Sequence, residues 1–131
     1  MKFVCLGYME AGKFEHMSES GRNAFVDACL AYDVVLKKNG HFVGGEALQP
    51  ATAAVTLRYR NGKVVSVDGP FAETKEHIGG IMILEADNLE HAIELMSRHP
   101  GVRAGSGFEI RPAADLTGMV RESEKRRRAA G

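Results

Sequence analysis

The chain has no tryptophan, only two cysteines and four prolines, and no surplus of charge, with 17 basic against 17 acidic residues. Each scarcity excludes something. Two cysteines, Cys5 and Cys29, cannot build the disulfide framework of a small secreted domain. They read as reduced, buried thiols in a cytoplasmic protein, one on a first strand and one on a helix face. A nucleophilic Cys29 would need a base that the flanking residues do not supply. A formal net charge of zero argues against a surface made for nucleic acid or anionic lipid. No apolar run approaches the roughly 20 residues of a membrane span, and the run Met1 to Leu6 is too short for a signal peptide. Also missing are a glycine-rich phosphate loop, a serine nucleophile elbow and a Cys-x-x-Cys pair. His16, His41, His91 and His99 show no metal-ligand spacing and read as structural or surface groups. No cofactor and no metal are expected. Acid–base catalysis by protein groups alone survives these exclusions.

What is there is one domain of patterned chain. Its 131 residues are 44% apolar and 26% charged, enough to bury a core. Residues 2–8 predict a buried strand. Ser18 or Ser20 predicts the N-cap of a long helix ending at Asn39-Gly40, with Phe25, Ala28, Cys29, Tyr32, Val35 and Leu36 as its apolar face. Residues 41–48 predict a second strand, bent at Gly44-Gly45. Residues 53–60 alternate in polarity, and Asn61-Gly62 predicts a two-residue type I′ hairpin returning over 63–68. That turn fixes the register: Arg60 faces Lys63, Arg58 faces Val65, and Asp68 joins Val55, Leu57 and Tyr59 on one face.

A connection over 68–80 follows, then a strand over 80–86 that is apolar on both faces. Asp87 to Glu90 predicts a capping box, and Leu89, Ala92, Ile93 and Met96 a second helix that stops at His99-Pro100. Residues 107–111 predict a last strand. The tail over 114–131 carries Arg121, Lys125, Arg126, Arg127 and Arg128 and reads as a solvated or frayed helical end. Nucleic-acid binding is the sharper alternative there, diluted by Glu122 and Glu124.

The order β-α-β, hairpin, β-α-β predicts an α+β fold, a ferredoxin-like split βαβ with an extra hairpin strand over 1–113. Helices would cover one sheet face. The other face would stay partly apolar, which predicts a homodimer formed by packing sheet on sheet.

The segments Gly45-Glu46-Ala47-Leu48-Gln49-Pro50, Asp68-Gly69-Pro70-Phe71-Ala72-Glu73-Thr74-Lys75-Glu76 and Gly79-Gly80 closely resemble the DGPF branch of the YCII-related family. Arg98-His99-Pro100 and Glu109-Ile110-Arg111-Pro112 extend the resemblance to about residue 113. It implies a dimeric α+β barrel and a small enzyme of undetermined function. It also implies, as an alternative, a ligand-sensing or partner-binding module associated with an extracytoplasmic-function sigma factor. In the wider family a His–Asp pair is the proposed catalytic element, with the histidine on the first helix. The helix over 18–39 contains no histidine, so an acid–base pair must come from elsewhere.

The ionisable residues around 68–80 are the first place to look. Asp68 is a general-base candidate on an apolar strand face, or an acid that holds the Gly69-Pro70 turn. His77 titrates near neutrality and is its candidate proton partner. Lys75 is a candidate anion binder oriented by Glu73 or Glu76, or a member of a solvated ion-pair loop. Arg58 and Arg111 are strand arginines suited to clamp a small anionic ligand, or to pair with Glu109 or Glu46 across a dimer. Glu46 follows a glycine pair at which backbone can approach a ligand. The expected chemistry is isomerisation or elimination of a small anionic organic molecule by proton transfer.

Overall fold

The computed structural model describes all residues, Met1–Gly131. Strand β1 spans Lys2–Glu10, helix α1 Glu19–Lys38, and β2 Phe42–Ala47. A single 3-10 turn, Ala51–Ala53, leads into β3 Val55–Arg60 and β4 Lys63–Asp68. Then come β5 Glu76–Glu85, α2 Leu89–Ser97, a short α3 Pro100–Arg103, β6 Gly107–Pro112 and α4 Thr117–Ala130. The main sheet has the order β2-β5-β1-β6, and all its neighbours run antiparallel. This is the ferredoxin-like split βαβ arrangement.

Local chemistry sets the helix ends. The Ser18 hydroxyl accepts from the Gly21 N–H at 3.1 Å and caps α1. At the other end Gly40 turns left-handed, φ +77°, and the His41 N–H reaches back to the Leu36 carbonyl at 2.8 Å. That is the αL termination for which a glycine is suited. Helix α2 departs from expectation by one residue. Asn88, not Asp87, is its N-cap, accepting from the His91 N–H at 2.8 Å. The reciprocal bond comes from the Asp87 N–H to His91 Nδ1 at 3.0 Å, so an imidazole takes the place expected for Glu90.

Alternation along β1 and β5 builds the core. Phe3, Cys5, Met82 and Leu84 are buried under Leu36 of α1 and Ala92, Leu95 and Met96 of α2. The residues between them, Val4, Leu6, Ile81 and Ile83, face the other way and pair across the strands. The two-sided apolar character read over residues 81–84 is thus divided between a helix-covered face and an outer face.

The hairpin has the predicted register at every position, from Arg60–Lys63 to Val55–Asp68. Asn61 (φ 51°) and Gly62 (φ 76°) are both left-handed, as a type I′ turn requires. It does not extend the main sheet, however. β3 and β4 form a separate two-stranded sheet, an arm. The connection also differs from expectation. It is shorter, because β5 begins at Glu76 and takes His77 into the strand opposite Met9. The tail forms helix α4 with no buried residue.

Glycine 45 sits where two backbones touch. A Cβ there would lie 2.8 Å from the Ile81 carbonyl oxygen, which the β2–β5 ladder holds in place. A Cβ on Gly44 would meet nothing within 4 Å. In urea denaturation we therefore expect Gly45→Ala to lose about 1–3 kcal/mol, and Gly44→Ala to stay within about 0.5 kcal/mol of the parent. Equal losses would contradict the close approach.

Candidate functional site

The expected pair is not brought together. Asp68 ends the arm, exposed and opposite Val55, whereas His77 is half-buried in β5. They share no hydrogen bond. Arg58 is committed within the arm. Its guanidinium lies over the Phe71 ring at 4.5 Å and donates to the Phe71 carbonyl at 3.3 Å. The Thr56 hydroxyl donates to the Gly69 carbonyl at 2.9 Å. The Asp68-Gly69-Pro70-Phe71 turn, with Gly69 at φ +111°, is thereby folded back across one face of the hairpin. Lys75 pairs with Glu10 at 3.8 Å, both exposed, not with Glu73 or Glu76. Glu73 is exposed and makes no ion pair. Glu46 is exposed on β2 opposite Ile81, and Arg111 pairs with Glu109 two residues away.

A different acid and imidazole are withdrawn from water, a half-buried aspartate and a buried histidine. Asp33 lies on α1 one residue after Tyr32, and its Oδ1 is shielded from water with no hydrogen-bond partner. Burial pushes its carboxyl above the ordinary value, although His99 and Lys37 pull it back. His99 is the only buried polar or charged side chain, at 7% exposure. Burial pulls its imidazole below the ordinary value, although Asp33 raises it. Each group thus senses the other's charge, and desolvation outweighs that attraction in both. Sequence reading set His99 aside as structural or surface because it shows no metal-ligand spacing, and Asp33 lies 66 positions away. A signal was available in Asp33 itself, an acid beside the inward-facing apolar stripe Phe25, Cys29, Tyr32, Leu36.

Several contacts hold the imidazole. It caps α3, with Nδ1 accepting from the Gly101 N–H at 2.9 Å. The neutral ring therefore carries its proton on Nε2. Phe108 lies against it at 4.7 Å and Tyr32 meets it edge-on at 5.9 Å. The Tyr32 hydroxyl is tied to the Leu95 carbonyl. Phe108 needs the bare backbone at Gly7 and at Gly101, where a Cβ would sit 3.0 Å and 3.2 Å from its ring. A second buried polar atom without a partner, Ser106 Oγ, lies on the turn whose N–H bonds to the Gly101 carbonyl at 2.9 Å. Lys13 closes this turn onto the β1–α1 loop, its Nζ donating to the Ala104 carbonyl at 3.0 Å.

Neither cysteine competes for the chemistry. Burial raises the Cys5 thiol to about 11, and burial followed by the Asp33 charge raises Cys29. Both are free. No three His, Cys, Asp or Glu side chains converge as a metal set. Two shallow surface hollows run along α4 and the Ala114–Leu116 segment before it, and neither touches Asp33 or His99.

The shifts fix the sign of the pH dependence. The folded state resists protonating His99, so the unfolded chain takes up that proton first, starting near 6.5. Stability from this group is present above 6.5 and falls as the pH drops through that value. Asp33 acts in the opposite sense. Its folded carboxyl keeps a proton above 3.8 that the unfolded chain has lost, so stability falls as the pH rises through that window. Thermal melts should show the parent losing Tm between pH 7 and 5.5, and His99→Gln losing less over the same range. Asp33→Asn should melt higher than the parent at pH 7. A His99→Gln slope equal to the parent's would contradict the assignment.

Comparison with known proteins places this geometry. The YCII-related domain matches residues 1–116. An uncharacterized protein of Rhizobium meliloti (strain 1021), R00369, is 38% identical over 68 residues, 51% of this chain; the match spans only 55% of that relative's length. Among solved structures, 5-chloro-2-hydroxyhydroquinone dehydrochlorinase (TftG) from Burkholderia phenoliruptrix AC1100, in complex with 2,5-dihydroxybenzoquinone, shares the fold. The TM-score is 0.50 at 20% identity, covering 88% of this chain and 96% of that one. No helix of the chain is long and apolar enough to cross a membrane. With nearly its whole length up to the start of α4 covered by the family's domain, the chain belongs to the YCII-related family.

Proposed function

We propose that the chain is a small-molecule enzyme working by proton transfer, isomerising or eliminating from a small anionic organic substrate at Asp33 and His99. The observation that carries this reading is the carboxylate oxygen Asp33 Oδ1, buried without a hydrogen bond beside a buried imidazole. A carboxylate oxygen left without donors in a desolvated site is a strengthened base, because desolvation of its charge outweighs the attraction of His99 and Lys37. Asp33 takes a proton from carbon. His99, as a neutral imidazole, donates a hydrogen bond through the Nε2–H left by the Gly101 bond and so stabilises the departing anion or the oxygen on which charge develops. Positive charge for the substrate's anion is supplied by Lys13 of the β1–α1 loop, which reaches the α3–β6 turn. Lys75 adds to it, because its carbonyl accepts from the Ala11 N–H at 3.4 Å by the same loop.

The relation to a dehydrochlorinase, an eliminating enzyme, is in keeping with this chemistry. The Asp68–Glu76 motif supports membership of the DGPF branch. In this reading the chain keeps an acid–histidine pair, with the acid and not the histidine on the first helix and the histidine after the second. The protein is a cytoplasmic homodimer that uses its outer sheet face, since Val4, Leu6, Ile81 and Ile83 have no helix over them.

The test is turnover of a panel of small anionic phenols, hydroxyquinones and halogenated acids, followed by proton release and product analysis. Asp33→Asn and His99→Gln should each lower kcat by about 10²–10⁴-fold while the circular dichroism stays unchanged. His77→Ala should keep most of the activity. If Asp33→Asn turns over at the parent rate and His77→Ala does not, the proton-transfer site is at His77 instead.

A further inference from the structure

We infer that the β3–β4 arm is an intersubunit arm, its bare face seated on the outer sheet face of a second copy at the Ile78–Ile81 end. The inference rests on the homodimer reading above and names the contact that the dimer uses. A two-stranded hairpin is marginally stable in water without a surface to pack on. One face of this one is covered from within, by the turn that folds Phe71 under Arg58 and ties Gly69 to Thr56. The other face is bare. Val55, Leu57, Tyr59 and Val64 lie on it between 58% and 74% exposed, with Asp68 at its rim as the single charge. Four large apolar residues side by side form a patch, not scattered exposure.

The same chain has a second uncovered apolar surface. α1 and α2 lie on the Phe3–Leu84 face of the main sheet, and α4 buries nothing. On the opposite face Ile78 and Ile81 are the most exposed residues of the apolar row, with Glu46 beside Ile81 on β2, and Leu48 flanks them through its N–H bond to the Gly79 carbonyl at 2.9 Å. Two unmatched apolar surfaces on one chain are satisfied together when two copies exchange arms about a twofold axis.

The total area agrees with that occupant. The chain exposes 9448 Å², against about 6,800 Å² for a folded monomer of its 14.2 kDa. The excess is several times the roughly 800 Å² that a standard interface removes from each partner.

Mixing Leu57→Cys copies with Ile81→Cys copies under mild oxidation should give a disulfide-linked heterodimer on a non-reducing gel. Leu57→Glu should raise the dimer dissociation constant, measured by sedimentation, at least about tenfold. Because Leu57 touches nothing in its own chain's core, the circular dichroism of Leu57→Glu should match the parent. A monomeric parent would remove both the homodimer and the arm. A dimer that neither cross-links in the mixture nor responds to Leu57→Glu would remove the arm alone. Cross-linking of Leu57→Cys copies with one another would place arm against arm and overturn the seat on the sheet.

Discussion

The site depends on one arrangement, a buried imidazole and a shielded carboxylate oxygen that sense each other's charge with no hydrogen bond between them. A hydrogen-bonded ion pair would stabilise both charges and hold both groups inert. Here desolvation dominates, so the carboxyl is lifted and the imidazole is lowered. The surrounding structure keeps the two groups in that state. Phe108 and Tyr32 wall the imidazole, Gly7 and Gly101 leave room for Phe108, and the Gly101 N–H fixes the tautomer. Desolvation of the two ionisable groups costs stability at the site. The sheet offsets that cost by closing the core around Phe3, Cys5 and Leu84 with no exposed surface at all.

The split βαβ fold serves the pair by geometry. Helix α1 crosses the sheet and delivers Asp33 from above. The turn after α2 delivers His99 from the side, and β6 delivers Phe108 next to the central strand β1. The acid and the imidazole therefore come from the two halves of the split motif, and only the completed sheet brings them together. A pair built in this way exists only in the folded chain.

The legibility of the sequence followed the range of the interactions. The hairpin register was readable at every position because Asn61-Gly62 admits one turn type and that turn fixes the pairing. The long helix was readable because Ser18 and Gly40 terminate it chemically. Separation of the arm from the main sheet was not readable, because alternating polarity is the same for a hairpin inside a sheet and one outside it. His77 was read as a loop residue for a related reason. The pairing Met9–His77 beyond the β-bulge at Gly7–Tyr8 is set by β1, far away in the chain. Asp33 and His99 were missed because neither carries a local motif. Asp33 was masked by its apolar neighbours and His99 by the proline after it. The Asp68–Glu76 motif, the loudest part of the sequence, reads in the structure as the fold-back of an arm.

The account stands or falls on the protonation states of the buried pair. Site-resolved NMR titration of the His99 imidazole and the Asp33 carboxyl measures them directly. The predicted result is a His99 midpoint below 6.5 that drops further in Asp33→Asn, and an Asp33 midpoint above 3.8. A His99 midpoint at or above its ordinary value, unmoved by Asp33→Asn, would contradict it.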